Sequence, residues 1–154
     1  MTITHHTHTT QRMNFTQAAP AVFKAMIALD VAATKGLDPV LVELVQIRAS
    51  QLNHCAYCLD MHTRDARRAG EREERLHLLA AWREAGLYTE KERAALALTE
   101  AVTRLSDGLV PDAVYDEAAR HFEEEELAHL IALIFTINAW NRIAVTTRKT
   151  PGTA

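Results

Sequence analysis

Two cysteines, a histidine and a glutamate in one stretch are the side chains best suited to chemistry. They are Cys55, Cys58, His62 and Glu43, and the cysteines are the only two in the 154 residues. Residues three apart on one helical turn place their β-carbons about 5–6 Å apart. A small adjustment of that turn gives the roughly 3.5–4.5 Å that a disulfide requires. The spacing therefore permits a redox-active dithiol.

The cysteine pair lies at the start of a helix that the sequence predicts over residues 56–69, closed by Gly70. Unpaired backbone N–H groups and the helix macrodipole favour an anion there, and a thiolate is an anion. His62 follows Cys58 by four residues and Cys55 by seven, which predicts that the three side chains share one helical face. A histidine in that place can take a thiol proton or return one.

Three further side chains are candidates for the same site. Glu43 belongs to the preceding predicted helix, and an antiparallel helix pair would bring its carboxylate to His62, which it would orient as the third member of a triad does. His54 and Tyr57 could contribute hydrogen bonds as auxiliary or substrate-binding residues. A surface histidine and a packed tyrosine explain these two equally well.

The Cys-x-x-Cys spacing alone has several interpretations. Haem attachment needs a histidine directly after the second cysteine, where this chain has Leu59. A thioredoxin-like site needs a βαβ setting, which the helical pattern does not offer. A structural zinc site would use the two cysteines and His62, with Glu43 or His54 as the fourth ligand. An incidental pair in a helical core is also open, but a dithiol redox site is the favoured interpretation.

Composition limits the class of protein. The chain carries 48% hydrophobic residues with only five glycines and four prolines, so one ordered domain is expected. The net charge of −3 gives no basic footprint, so nucleic acid is not an expected partner. We find no signal peptide, and no apolar run is expected to reach the length needed to span a bilayer. These features predict a cytoplasmic protein, where a close cysteine pair is more often redox-active or metal-binding than structural.

The sequence predicts an all-α domain over residues 15–148. Residues 1–14 are expected to be a disordered tail, whose His5, His6 and His8 could bind a metal ion, and residues 149–154 a second tail. No sustained period-two alternation predicts a sheet. The remaining predicted helices cover residues 20–35, 39–52, 73–85, 90–105, 111–122 and 123–143.

The sequence gives specific predictions for three of these helices. The apolar side of the first helix is assigned to Val22, Phe23, Met26, Ile27 and Leu29. The last helix is apolar around most of its circumference, so it must be buried on all sides, and a subunit interface is one way to do this. The polar residues 140–142 that interrupt this helix are best explained by packing, with the amide side chain hydrogen-bonded inside the protein. In the predicted helix over residues 39–52, Arg48 shares the apolar stripe and therefore needs a partner for its charge.

These residues resemble a known family, the AhpD-like alkylhydroperoxidases of the carboxymuconolactone decarboxylase superfamily. The matching motif is a glutamate, twelve residues to Cys-x-x-Cys, and a histidine four residues after the second cysteine, here Glu43, Cys55, Cys58 and His62. The likeness extends roughly over residues 23–148 and includes the segment 137–142 of the last helix.

The resemblance implies an all-helical, oligomeric fold, as a dimer, trimer or hexamer, with peroxidase activity and no cofactor. It implies that Cys58 attacks the peroxide and becomes a sulfenic acid, that His62 and Glu43 activate it, and that Cys55 condenses with it. An external dithiol or thiol protein would then reduce the disulfide. The chemistry agrees, since a thiolate is the reactive form and a sulfenic acid beside a thiol closes to a disulfide.

One departure from the family pattern concerns Tyr57. The best-studied branch has a histidine between the cysteines, so the second proton relay is missing here or replaced by a phenol. The reductant and the lipoyl-protein partner of that branch therefore do not transfer to this chain. The decarboxylases that name the superfamily lack the cysteine pair, which argues against lactone decarboxylation.

Overall fold

The computed structural model describes residues 10–152, and this part of the chain is helical with no strand. The prediction of an all-α fold is confirmed for these residues, whereas the predicted tail histidines His5, His6 and His8 lie outside them. The helices are α1 (Phe15–Ala18), α2 (Pro20–Thr34), α3 (Pro39–Leu52), α4 (Ala56–Arg68), α5 (Glu73–Leu78), α6 (Glu90–Thr103), α7 (Asp112–His121) and α8 (Glu124–Thr147).

Helices α3 and α8 form the centre of the molecule. Helix α8 packs against α2, α3 and α6, while α3 also packs against α4 and α6. By length and composition alone α8 could cross a membrane, so the prediction that no apolar run reaches that length is wrong. Its Leu130, Leu133 and Ile134 are instead fully buried in the core against α3 and α6. The long apolar helix thus serves as a core element.

Local sequence signals set the ends of the helices beside the site. Asp38 caps α3 by accepting a hydrogen bond from the Val40 N–H at 2.8 Å, and Pro39 occupies the first helical position. Gly70, with φ of +93°, follows the end of α4. The predicted start of α3 and the predicted extent of α4 are therefore confirmed.

The predicted helix over residues 73–85 is wrong in its second half. Helix α5 ends at Leu78, followed by a 3₁₀ turn at Leu79–Ala81 and an irregular turn. The Arg93 guanidinium donates hydrogen bonds to the backbone carbonyls of Trp82, Arg83 and Ala85 at 3.1, 3.2 and 3.4 Å. Because a side chain from α6 satisfies these carbonyls, the helix need not continue.

The apolar side assigned to α2 is also wrong in part. Val22 and Ile27 are about half exposed, and Val31 is 67% exposed. Alanines with exposed side chains occupy much of the outer face of this helix, at Ala21, Ala25, Ala28 and Ala32. Much of the side that faces away from the core is therefore apolar as well, although the exposed Lys24 lies on it too.

Polar side chains join α3 to α8. The Asn53 amide donates to the Oδ1 atoms of Asn138 and Asn141, both at 2.9 Å, and the Asn141 amide donates to Ser50 Oγ at 3.0 Å. Asn141 is fully buried, and its side chain is satisfied as the sequence predicts. Arg48 has the partner that the sequence requires: its guanidinium lies 2.9 Å from the Glu100 carboxylate.

Candidate functional site

A sharp turn between α3 and α4 presents the cysteines. His54 adopts the left-handed conformation, with φ of 54°, and the Cys55 N–H donates back to the Ser50 carbonyl at 3.0 Å. Histidine is among the residues that tolerate this conformation. The His54 side chain is exposed and is not on the cavity wall described below, so the structure does not bring this residue into the site.

Cys55 and Cys58 form a disulfide across the first turn of α4. Their Cα atoms are 5.3 Å apart, and both residues are buried. Cys55 is the N-cap of the helix, and its Sγ accepts a hydrogen bond from the Cys58 N–H at 3.3 Å. The two sulfurs therefore sit where backbone N–H groups and the helix dipole favour negative charge once the disulfide is reduced.

His62 lies one helical turn after Cys58 and meets Glu43 from α3. The ring is 7% exposed, and its Nδ1 lies 3.1 Å from Glu43 Oε2. With the carboxylate ionised, the Nδ1–H donates to it and Nε2 keeps a lone pair. The structure thus brings together His62 and Glu43, which are 19 residues apart in sequence. Such an imidazole is oriented to accept a proton at Nε2.

A cavity of about 840 Å³ lies beside the disulfide. Cys58, His62 and Glu43 are on its wall, whereas Cys55 is not. Cys58 and His62 therefore face the same cavity, as their spacing predicts. Cys55, which caps the helix, is not on the cavity wall. The large apolar side chains on the wall are Phe15, Phe23, Ile27, Met61, Trp140 and Ile143.

The N-terminal segment closes one side of this cavity. Gln11, Asn14 and Phe15 are on the wall, and the Arg12 N–H donates to the Thr147 carbonyl of α8 at 2.8 Å. Asn14 caps α1 by accepting a hydrogen bond from the Gln17 N–H at 3.1 Å. Residues assigned from sequence to a tail therefore contribute to the site.

Sequence reasoning also missed Lys149 and Asp30. Lys149 is on the cavity wall, with its Nζ 4.1 Å from the centroid of the Tyr57 ring. Asp30 accepts a hydrogen bond from the Trp140 Nε1–H at 3.4 Å. Neither residue is linked to the cysteines by any spacing in the sequence, because both reach the site through the packing of α2 against α8 and of α8 against α4.

The zinc alternative meets a different arrangement in the structure. The two sulfurs are bonded to each other, and the His62 ring is paired with Glu43. Within residues 10–152 no three histidine, cysteine or acidic side chains are grouped to hold a metal ion. A zinc site in this chain would therefore require the reduced cysteines and a different partner arrangement around His62.

Comparison with known proteins decides the family. The family model described as carboxymuconolactone decarboxylase family matches residues 20–101 of this chain. The chain belongs to this family. The segment matched contains the whole constellation from Glu43 to His62.

Two curated relatives extend the comparison. The uncharacterised protein YdfG of Bacillus subtilis is 40% identical over 136 residues, which cover 88% of this chain and 92% of YdfG. The uncharacterised protein YnjA of Escherichia coli is 36% identical over 99 residues, which cover 64% of this chain and 53% of YnjA.

A similar solved structure is that of ATU0492 from Agrobacterium tumefaciens, a protein of unknown function suggested to be the antioxidant defence protein AhpD. It is 38% identical with a TM-score of 0.90, covering 94% of this chain and 100% of ATU0492. The expected AhpD-like helical fold is thereby confirmed.

Proposed function

We propose that this protein is a thiol-dependent peroxidase that reduces organic hydroperoxides through Cys55 and Cys58. The observation that carries the proposal is the place of Cys58. It lies on a cavity wall at a helix start, one turn before an imidazole held by a carboxylate. This arrangement supplies a stabilised thiolate, a proton acceptor and a space for the substrate beside one sulfur.

In the first step, His62 Nε2 takes the proton of the Cys58 thiol. The thiolate attacks the terminal oxygen of the hydroperoxide, and the O–O bond breaks. Sulfur keeps the OH as a sulfenic acid, and the alkoxide takes a proton from the imidazolium to leave as the alcohol. Glu43 holds the ring orientation throughout, because it accepts the Nδ1–H.

In the second step, the Cys55 sulfur attacks the sulfenic sulfur of Cys58. The S–O bond breaks, and hydroxide leaves with the Cys55 proton as water. The product is the disulfide seen in the structure. An external dithiol or thiol protein then reduces this bond by thiol exchange, which regenerates both thiols and oxidises the donor. The cycle uses side chains alone and requires no cofactor.

The cavity supports an organic hydroperoxide as the substrate. Its volume of about 840 Å³ and its aromatic and aliphatic wall far exceed what hydrogen peroxide needs. Apolar lining binds an apolar substrate body by removing its surface from water. We therefore propose that hydrogen peroxide is a poorer substrate than alkyl or aryl hydroperoxides.

Two matched cysteine variants test the function. Consumption of cumene hydroperoxide is followed with dithiothreitol as the reductant for the parent, Cys58→Ser and Cys55→Ser. We expect Cys58→Ser to lose turnover and to remain unmodified by the hydroperoxide. We expect Cys55→Ser to be oxidised once, to a sulfenic acid that a dimedone reagent traps and intact mass detects.

Equal turnover by the parent and Cys58→Ser would overturn the proposed mechanism. Trapping of a sulfenic acid on Cys55 rather than Cys58 would reverse the assigned roles. Near-stoichiometric zinc in elemental analysis of the protein purified under reducing conditions, together with no turnover, would favour the zinc-binding alternative.

We also propose that the enzyme acts as a homo-oligomer in the cytoplasm. The outer face of α2 supports the first part, because a helix face that is apolar yet exposed is typical of a protein contact. The cysteine chemistry supports the second, because the cycle depends on a compartment that supplies reducing dithiols.

A further inference from the structure

A lysine side chain lies across the ring of Tyr57, one of the two residues between the cysteines. Lys149 Nζ is 4.1 Å from the centroid of the Tyr57 ring, a distance at which a cation is attracted to an aromatic face. Tyr57 in turn packs against the buried cluster of Cys55, Cys58 and Ala144. The lysine cation is therefore held next to the opening turn of α4.

The end of α8 fixes the backbone of this lysine. Arg148 takes the left-handed conformation, with φ of 53°, and the Lys149 N–H donates to the Ala144 carbonyl at 2.9 Å. These are the features of a helix C-terminal cap. Since Ala144 belongs to the same buried cluster as the cysteines, the cap sets where the Lys149 side chain begins relative to α4.

The charges around Cys58 give this cation a role. The titratable and charged groups on the cavity wall with Cys58 come from four parts of the chain: Asp30 from α2, Glu43 from α3, Tyr57, His62 and Asp65 from α4, and Lys149. Among the described wall residues Lys149 is thus the only lysine or arginine, against three carboxylates. Negative charges oppose a thiolate, and a positive charge stabilises one.

The partners of those carboxylates do not remove the need for a cation. Glu43 pairs with His62 at 3.1 Å and Asp65 with Arg68 at 3.2 Å, whereas the Asp30 carboxylate accepts the neutral Nε1–H of Trp140 at 3.4 Å. The oxidised site carries no charge on sulfur. Reduction creates a thiolate in this acidic surrounding, so the fixed cation matters in the reduced state.

We propose that Lys149, held on the Tyr57 ring, stabilises the thiolate of Cys58 and so acts as a positioning residue of the proposed peroxidase. It does this through its charge, which compensates the carboxylates on the cavity wall, and the Tyr57 ring keeps the ammonium group in place. The role in catalysis rests on the proposed function, whereas the effect of Lys149 on the ionisation of the Cys58 thiol can be measured without it.

The experiment measures thiol ionisation without any peroxide. In a Cys55→Ser background, which leaves Cys58 as the sole thiol, the rate of iodoacetamide alkylation is followed against pH. Lys149→Met should move the midpoint of this profile upward by about half to one pH unit, which lowers the rate near neutral pH about three- to tenfold. Lys149→Arg should restore the profile, since it keeps the charge.

Matched controls separate charge from structure. Lys35→Met removes an exposed lysine at the end of α2, away from the cavity wall, and should leave the profile unchanged. Tyr57→Phe keeps the ring and should behave as the parent, whereas Tyr57→Ala should resemble Lys149→Met. The effect of Lys149→Met should shrink as salt is raised, because salt screens a partly exposed charge.

Superimposable alkylation profiles for the parent, Lys149→Met and Lys149→Gln would overturn the inference. So would a Lys149→Arg variant that behaves as Lys149→Met. The proposed function fails differently: Cys58 would alkylate with the Lys149-dependent profile and yet remain unoxidised by hydroperoxide.

Discussion

At the scale of single residues, the pairing of Glu43 with His62 governs how the proposed enzyme handles protons. The ring Nδ1 lies 3.1 Å from Oε2, so an ionised carboxylate favours the tautomer that carries its hydrogen on Nδ1 and leaves Nε2 as the acceptor. An amide in place of the carboxylate can donate as well as accept, and can therefore stabilise the opposite tautomer.

Glu43→Gln should lower kcat/KM for cumene hydroperoxide by about 10²-fold, the range expected when a general base loses its orientation. The control is Asp65→Asn, which neutralises a cavity carboxylate that pairs with Arg68 instead of the histidine. That variant should change activity far less. Equal losses in the two would show that cavity charge, rather than the tautomer of His62, is what matters.

The sequence predicts the residues that share one helix and misses those that reach the site by packing. Cys55, Cys58 and His62 follow from spacings of three and four residues, which a helix converts to proximity. The contact of Glu43 with His62 follows once α3 and α4 are expected to pack as an antiparallel pair. Lys149 has no such periodic relation to the cysteines, because its position depends on how the end of α8 lies against α4.

At the scale of elements, the amides between α3 and α8 hold the two helices that frame the site. Asn141 accepts from Asn53 at 2.9 Å and donates to Ser50 at 3.0 Å while fully buried. Replacing it by an apolar side chain leaves the buried Ser50 hydroxyl and the partly exposed Asn53 amide without this partner, which is costly even when the volume is similar.

Asn141→Leu should lower the free energy of unfolding by about 1–3 kcal/mol, measured by urea denaturation of the reduced protein. Asn53→Ala removes a partly exposed donor from the same cluster and should cost less. A Leu variant as stable as the parent would mean that the α3–α8 contact depends on apolar packing alone.

A second polar cluster joins α3, α6 and the turn after α5. The Glu100 carboxylate accepts hydrogen bonds from Arg48 at 2.9 Å and from Trp82 at 2.8 Å, and it also pairs with Arg83. Burial alone raises the pKa of Glu100, but the hydrogen bonds from Arg83, Trp82 and Arg48 outweigh it, so that pKa lies below its ordinary value of 4.5. The unfolded chain then binds this proton more readily than the folded one.

This direction gives a prediction for acid stability. The contribution of Glu100 is complete above its unfolded pKa and is lost as the pH falls through the lower, folded pKa. Glu100→Gln should therefore cost about 1–3 kcal/mol of unfolding free energy near pH 7, and the gap from the parent should narrow near pH 3. Glu84→Gln, at an exposed position, is the control. A gap that stays constant with pH would contradict the assignment.

Element boundaries show where sequence patterns stop being informative. Asp38-Pro39 and the Thr89–Glu92 capping box predict helix starts correctly because their contacts are local. The early end of α5 depends on Arg93, a side chain from another helix that satisfies the carbonyls of the turn. A periodic pattern of apolar residues does not contain that information.

At the scale of the whole molecule, the site lies where α2, α3, α4 and α8 meet the N-terminal segment. Both cysteines are buried in this arrangement: Cys55 is the N-cap of α4, and Cys58 lies on the cavity wall. In the proposed cycle, hydroperoxide and reductant therefore both reach Cys58 from this cavity. The sequence predicts that the apolar α8 must be buried. It does not predict which side of α2 stays exposed, because that depends on how all the helices pack together.

The exposed face of α2 leads to the last prediction, the subunit count in solution. Ala28 and Val31 lie on this face, which combines small and β-branched side chains and so permits close approach of a second helix. A glutamate at either position would place a charge in a desolvated contact. Ala28→Glu and Val31→Glu should reduce the mass measured by light scattering from that of an oligomer to that of one 17.2 kDa chain.

Ala113→Glu, which changes an exposed alanine of α7, should leave the mass unchanged. A monomeric parent, or an oligomer that survives both α2 changes, would show that this face does not join subunits.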